Sequence, residues 1–473
     1  MSASPTSFLS ASLLVLVGLA GACGRNALYR GSSANPQDGA PATGASNISQ
    51  PPTDGKCPDG FAPCGKGDAL RCYDLGRSKD HCGACGQACA PGIACQAGIC
   101  QQYRCRGALG FEALAVTSTE YGDPSGSRWY AKYLPALGDL DGDGILDLVG
   151  VPDLSSDNGP MSLFYGAGDG TFPTRRAITS AQEAWQSLAA DLDGDGFLDL
   201  TTIVLAHTSR GTSPANQPTV TVRRGSGERD APFGEAADYS TSSVPSAVLV
   251  ADFNADGRLD LVARVQGELA YWLGRDGGRL EPQAPLETEE SGDSYPPEVN
   301  PLATDWNGDG VLDLVYGSLL HFRLGRGDGS FDSEVPCALA MGVVGDLDSD
   351  RRPDLITGAN LLLGIDACHA SKILPLPDWP TGGGMALADL DGDGNLDVVA
   401  DSDTVTDNHV YIGTNVTVRA GDGKGGFGTP ISLPGPGNGG TSSFLFGDLN
   451  RDGKLDFIFA RPDGWGVFLN TCR

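Results

Sequence analysis

The sequence predicts an all-β protein: a seven-bladed β-propeller closed by an N-terminal strand, preceded by a small disulfide-rich module. Three observations carry this prediction. Of 473 residues, 68 are Gly and 31 are Pro while only 7% are aromatic, which favours many short strands joined by tight turns over long helices. An acidic loop pattern recurs seven times, starting at Asp139, Asp191, Asp252, Asp305, Asp346, Asp389 and Asp448, at spacings of 41 to 61 residues; that period fits one four-stranded blade. Nine cysteines, Cys57, Cys64, Cys72, Cys82, Cys85, Cys89, Cys95, Cys100 and Cys105, crowd into fewer than 50 residues ahead of the repeats.

In chain order, residues 1–22 read as a secretory signal. The apolar stretch from Phe8 to Ala22 is too short to span a bilayer comfortably but suits an h-region. Ala20-Gly21-Ala22 has the small-residue pattern of an ordinary cleavage site, with Cys23 directly after it. Leu19-Ala20-Gly21-Ala22-Cys23 also resembles a bacterial lipobox, which implies lipidation of Cys23. The match departs from that pattern at Ala20, where Leu is preferred, and in the absence of Lys or Arg ahead of the apolar run. Lipidation and plain secretion both remain open. Residues 23–56, rich in Gly, Ser, Ala, Pro and Asn, cannot build a core and read as a flexible tether.

Residues 57–105 form the cysteine-rich module. Cys82-Gly83-Ala84-Cys85 with His81 beside it raises a zinc reading. Disulfides are the expectation, because a small exported segment with little apolar content needs covalent staples, and a structural zinc site would normally show paired knuckles at longer spacing. The run from His81 to Cys100 resembles short Cys-rich modules in exported proteins of myxobacteria, which bring no activity with them.

Residues 106–473 are the propeller. A small residue precedes the first Asp of each copy, Gly138, Ala190, Ala251, Thr304, Gly345, Ala388 and Gly447, as crowding near a central axis would require. Apolar residues recur at the second, eighth and tenth places, as in Leu140, Leu146 and Leu148 or Trp306, Leu312 and Leu314, and anchor the loop on a sheet. Gly-Asp turns such as Gly168-Asp169-Gly170 and Gly421-Asp422-Gly423 follow a third strand. The last copy stops after its third strand, Gly466 to Asn470, while a spare strand-like segment, Gly110 to Tyr121, precedes the first copy. That spare strand is expected to complete the last blade and leave no exposed edge. Cys105 and Cys472 would then flank antiparallel neighbours, and their bridge would clasp the ring. Cys337 and Cys368 pair only by elimination, and the strand frame puts them near opposite faces, which argues against a bridge.

The loops carry the chemistry. The first reads Asp139-Leu140-Asp141-Gly142-Asp143-Gly144-Ile145-Leu146-Asp147, and the sixth repeats it as Asp389, Asp391, Asp393 and Asp397 around Gly392 and Gly394. Carboxylates at places 1, 3 and 5 of a tight turn converge, Gly at place 6 permits the bend, and Asp at place 9 closes the shell. Hard oxygens on a flexible turn suit Ca²⁺ better than Mg²⁺, which demands a smaller octahedron and keeps its waters. An EF-hand needs Glu at place 12, where the first two loops have Gly150 and Thr202.

Across nearly all of residues 110–473 the chain resembles the FG-GAP or VCBS repeat family, which includes the integrin α-subunit propeller. The resemblance implies up to seven Ca²⁺ ions, each held by places 1, 3, 5 and 9 with a main-chain carbonyl at place 7. Beyond loops 1 and 6, it assigns Asp191, Asp193, Asp195 and Asp199 in loop 2 and Asp252, Asn254, Asp256 and Asp260 in loop 3. Loop 4 contributes Asp305, Asn307, Asp309 and Asp313, and loop 7 Asp448, Asn450, Asp452 and Asp456. Loop 5 keeps Asp346, Asp348, Asp350 and Asp354 but places Arg351 where Gly belongs and Pro353 before the final Asp, so metal binding there is in doubt.

The formal charge of −28 argues against nucleic acid as a partner. Twenty-five of the 60 acidic residues lie in the seven loops, so seven divalent ions would halve that charge. Trp129, Tyr295 and Trp379, each ten residues before a first Asp, and Trp185, six before, fall on loops of the face opposite the aspartates. They are ligand candidates for stacking on sugar rings, with packing between blades as the plainer role. No HExxH or GxSxG occurs, and His81, His207, His321, His369 and His409 are scattered. The expected protein is therefore a non-catalytic, monomeric binding module, exported and lipid-anchored if Cys23 is modified, whose partner is a protein or a glycan. A lectin is the alternative reading, with a carbohydrate-active enzyme behind it.

Overall fold

The structure is a computed structural model. It describes residues 105, 107–114, 117–118, 135–150, 161–178, 184–204, 219–288, 301–317, 319–358, 360–376, 379, 384–405, 411–434, 443–461 and 464–472, together with a few short strands nearer the N-terminus. The chain divides into two compact units, Leu16–Gln102 and the propeller unit from Tyr103 onward. In the first, Ser49–Gln50, Arg71–Tyr73 and Ala62–Cys64 form a small antiparallel sheet, and Cys95–Gln96 pairs with Ile99–Cys100. The leader, Cys23 and the cysteine pairing of the module lie outside the described residues.

The second unit is a seven-bladed β-propeller. Blade 1 consists of Ala136–Gly138, Asp147–Gly150, Ser162–Tyr165 and Thr174–Ala177. Blade 2 consists of Ala184–Ala190, Asp199–Val204, Thr219–Gly225 and Phe233–Ser240, and blade 3 begins with Ala247–Ala251, Asp260–Val265, Glu268–Arg275 and Arg279–Pro282. Blade 4 runs through Leu302–Thr304, Asp313–Tyr316, Leu319–Arg323 and Val335–Ala340, and blade 5 through Val343–Gly345, Asp354–Thr357, Asn360–Asp366 and His369–Pro375. Blade 6 has Met385–Ala388, Asp397–Val405, Tyr411–Arg419 and Ile431–Pro434. Blade 7 takes Ser443–Gly447, Asp456–Arg461 and Gly464–Asn470 from the C-terminal end and Phe111–Ala113 from the N-terminal one. The expected strand exchange is thus present, with Phe468 opposite Ala113 and Asn470 opposite Phe111, and Cys105 is bridged to Cys472 beside it.

The first strands of blades 1 to 4 and of blades 5 to 7 abut in turn around the axis, and the ring closes between blades 7 and 1. The small residue before each loop is explained by the next blade. A Cβ on Gly138 would lie 2.5 Å from Leu198, one on Gly345 2.6 Å from Leu396, and one on Gly447 2.4 Å from Leu146. Each of those leucines is the place-8 residue of the following copy. The place-2 and place-10 residues, such as Leu140, Phe253, Trp306, Leu314 and Phe457, are buried. Among the described residues, buried apolar side chains gather in seven clusters, each spanning one seam between neighbouring blades. The core is therefore the set of seams, and blades are stable only as neighbours.

One expectation is overturned. Cys337 and Cys368 are bridged, with Cα atoms 5.2 Å apart. Blade 5 lacks a Gly-Asp turn and closes its outer hairpin with Ala367 and Cys368, Asp366 pairing with His369. That turn lies on the aspartate face, where the outer strand of blade 4 begins with Cys337 two residues in, so the bridge staples blade 4 to blade 5.

Candidate metal centres at the blade seams

Each acidic loop joins the first and second strands of a blade and is folded by its own carboxylates. In loop 1, Asp139 accepts the Gly142 amide on one oxygen at 2.8 Å and the Gly144 amide on the other at 2.9 Å. Asp143 accepts the Ile145 amide at 2.8 Å. The same bonds recur in loop 6, from Gly394 to Asp389 at 3.0 Å and from Asn395 to Asp393 at 2.8 Å. Place 6 needs a left-handed backbone, φ +79° at Gly144 and +92° at Gly394.

The place-9 aspartate plays a different part. Asp147, Asp260, Asp313, Asp354, Asp397 and Asp456 are fully buried and Asp199 nearly so. One oxygen of each accepts the place-2 amide, as from Leu140 at 3.2 Å or Leu390 at 2.8 Å. The other accepts an amide at the end of the third strand: Gly166, Gly225, Gly274, Gly325, Gly364, Gly421 or Asn470, at 2.7 to 2.9 Å. Five of those glycines are sterically required. A Cβ at 166, 225, 274, 325 or 421 would stand 2.2 to 2.3 Å from the place-8 carbonyl. The recurring Gly ending the third strand was a visible signal for this contact, which inspection of the loops alone missed.

Burial drives these carboxyls upward in pKa against the pull of their amide donors. Asp147, Asp397 and Asp456 are pushed up to about 7, and Asp260 and Asp354 to about 6. Asp139, Asp389 and Asp448 are also raised by burial. Packed like charges with little water are the electrostatic condition that a bound cation relieves.

Three carboxylates offer oxygens within 4.8 Å of one another in four loops: Asp139, Asp141 and Asp147; Asp191, Asp193 and Asp195; Asp346, Asp348 and Asp354; and Asp389, Asp391 and Asp397. Several acidic clusters thus have the donor set and convergence to hold a metal ion. In loop 2, Arg224 Nη1 sits 2.5 Å from Asp199 Oδ2, and the converging carboxylates are those of places 1, 3 and 5. In loops 3 and 4, Asn at place 3 lowers the local charge, and Asn254 and Asn307 donate through Nδ2 to Asp256 at 3.1 Å and Asp309 at 2.8 Å. Loop 5 keeps its shape despite Arg351, which adopts φ +66° and donates its amide to Asp346 at 2.9 Å, the bond Gly makes elsewhere.

The loops also lock neighbouring blades. The Gly170 amide of blade 1 donates to the Leu449 carbonyl of loop 7, and the Gly425 amide of blade 6 to the Leu347 carbonyl of loop 5, both at 3.0 Å. Asn470 of blade 7 donates through Nδ2 to the Leu390 carbonyl of loop 6 at 2.7 Å. At the seam of blades 4 and 5, Trp306 Nε1 donates to the Ala367 carbonyl at 3.3 Å. A cavity of about 360 Å³ opens there, lined among others by Trp306, Phe322, Ile365 and Arg352.

The aromatic candidates fare differently. Trp379 is buried, packs on Phe427 with ring centroids 5.3 Å apart and lies under Arg419, so it serves the seam between blades 5 and 6 and is no exposed stacking platform. Trp185 is the second residue of the first strand of blade 2, while its side chain, Trp129 and Tyr295 lie outside the described residues. Arg326-Gly327-Asp328 forms an outer turn in which Asp328 accepts the Ser330 amide at 2.9 Å. Among the described residues no helix is long and apolar enough to cross a membrane.

Fold and loops together define a seven-bladed propeller with one acidic turn set against every seam. The chain carries FG-GAP-like repeats: the model described as FG-GAP-like repeat matches residues 139–202, 252–316 and 389–459. No curated protein matches. Among solved structures, the chain is similar to an Agrocybe aegerita lectin described as specifically recognising non-reducing terminal N-acetylglucosamine, with 17% identity over 69% of this chain and 88% of that one and a TM-score of 0.44. It is also similar to BBS1N in complex with ARL6DN, with 12% identity over 73% of this chain and 92% of that one and a TM-score of 0.45.

Proposed function

We propose that the protein is an exported binding module whose propeller is held rigid by Ca²⁺ in its seam loops. The observation that carries the calcium reading is the repeated donor set: hard carboxylate oxygens on a turn already folded by its own amides, raised in pKa by burial and latched to the next blade. Such a site favours a divalent cation with flexible oxygen coordination. Asp389, Asp391, Asp393 and Asp397 make the most acidic of the loops that pair with no cationic side chain among the described residues. Loop 5 can fold around an ion, with Arg351 weakening it.

The ions would be structural. The function would reside in the surface that a rigid ring presents, since propellers serve as scaffolds for contact. Export is supported by the apolar leader and the dense cysteines of residues 57–105. Anchoring through Cys23 would put the module on a membrane surface. The protein acts without catalysis in this reading, and its partner is a protein or a glycan.

Counting calcium in the purified full-length chain by equilibrium dialysis tests the first part. Several ions per chain, with a melting temperature that falls in EDTA, are expected; no bound calcium and no response to EDTA would refute it. The intact mass of the mature N-terminus decides whether Cys23 carries lipid.

A further inference from the structure

Loops 1 and 6 carry the same four aspartates in the same places, yet their surroundings differ. At loop 1, Arg229 reaches in from the outer turn of blade 2. Its Nη1 stands 2.7 Å from Asp141 Oδ2 and 3.3 Å from Asp143 Oδ2. The Asp141 side chain is completely buried beneath it.

Arg229 is held there by more than charge. Its guanidinium lies 4.2 Å from the centroid of the Tyr165 ring. Its own carbonyl accepts Tyr165 Oη at 2.8 Å and Arg176 Nη1 at 3.1 Å. The two backbones touch closely enough that a Cβ on Gly142 would lie 2.9 Å from the Gly227 carbonyl. Among the described residues, no cationic side chain pairs with any aspartate of loop 6.

We infer that Arg229 is a built-in counter-ion for loop 1: this loop is charge-compensated without metal and takes a divalent cation only by exchange for the guanidinium, whereas loop 6 has no such side chain among the described residues. The guanidinium occupies Asp141 Oδ2 and supplies one positive charge to a carboxylate that is itself fully buried, from a side chain that stays about half exposed. A metal entering loop 1 must displace that contact and the cation–π stack with it, so its affinity falls below that of loop 6 by about tenfold or more. Loops of identical sequence pattern are thereby made unequal by a residue 88 positions away. The exchange rests on the calcium reading above; the counter-ion role does not.

The test uses the full chain and Arg229→Gln, which keeps reach and polarity and removes charge. In EDTA the variant is expected to melt below the parent. In calcium dialysis it is expected to gain one site at least about tenfold tighter, and calcium should raise its melting temperature by more than the parent's. Equal melting in EDTA with superimposable isotherms would overturn the inference. If neither protein binds calcium, the calcium reading fails, and the EDTA melts still decide the counter-ion role, a drop supporting it and no change overturning it. Should the variant not fold in EDTA, folding on calcium addition supports the exchange, and failure in calcium as well overturns it.

Discussion

Raising the pH in the absence of metal should destabilise this propeller, and the place-9 aspartates set the size of the effect. Asp147, Asp397 and Asp456 are held at about 7 and Asp260 and Asp354 at about 6 by burial, far above an ordinary carboxyl. A carboxyl raised on folding binds a proton in the folded chain that the unfolded chain has released. Its stability contribution is complete below about pH 4 and is lost as pH climbs through the folded value. From pH 6 to pH 8 each group at 7 gives up about 1.4 kcal/mol and each group at 6 about 0.4 kcal/mol, roughly 5 kcal/mol together. With an unfolding entropy of ~2.1 cal/mol/K per residue over about 370 residues, 1 kcal/mol moves the midpoint by about 1.3 °C. Scanning calorimetry in EDTA should therefore show a melting temperature about 6 °C lower at pH 8 than at pH 6. In millimolar calcium the cation replaces the proton and the slope should flatten or reverse. A midpoint in EDTA that stays level or rises between pH 6 and pH 8 would refute the account of these carboxyls.

Three further outcomes follow from individual contacts. Gly325→Ala sets a Cβ 2.2 Å from the Leu312 carbonyl and breaks the amide bond to Asp313, so urea denaturation should show a loss of about 2–4 kcal/mol. Arg351→Gly relieves a side chain held at φ +66°; a gain of about 1 kcal/mol is expected in the same assay, together with tighter calcium at loop 5. Replacing Cys105 and Cys472 by Ser removes a crosslink between residues 367 apart, which should cost up to about 5 kcal/mol and speed hydrogen exchange at Phe111–Ala113.

Features written in a single repeat could be read from the sequence. The place-2, place-8 and place-10 residues mark strand ends, the seven first aspartates mark the blades, and a missing fourth strand at one end matched a spare strand at the other. What could not be read depends on contacts between copies. Arg229 lies in an outer turn with nothing to show that it meets Asp141. Cys368 was placed on the wrong face because blade 5 closes with Ala367-Cys368 in place of the Gly-Asp turn that marks the hairpin elsewhere. Trp379 sits ten residues before Asp389, as Trp129 and Tyr295 do before their loops, but spacing alone does not say whether such a ring turns outward or into a seam.

Seams also explain why an acidic turn is repeated in every blade. Apolar clusters between blades are non-directional and would tolerate sliding of one sheet over the next. The loops add direction: the place-9 carboxylate ties a blade's inner turn to its own third strand, and carbonyls such as Leu390 and Leu449 receive donors from the following blade. A cation held by the carboxylates of one loop would stiffen both bonds of that carboxylate at once, and with them the latch to the next blade. The metal-binding potential and the closure of the ring are thus one property of the same turns, and a lesion in a single loop should loosen the seam it faces before it disturbs the blade that carries it.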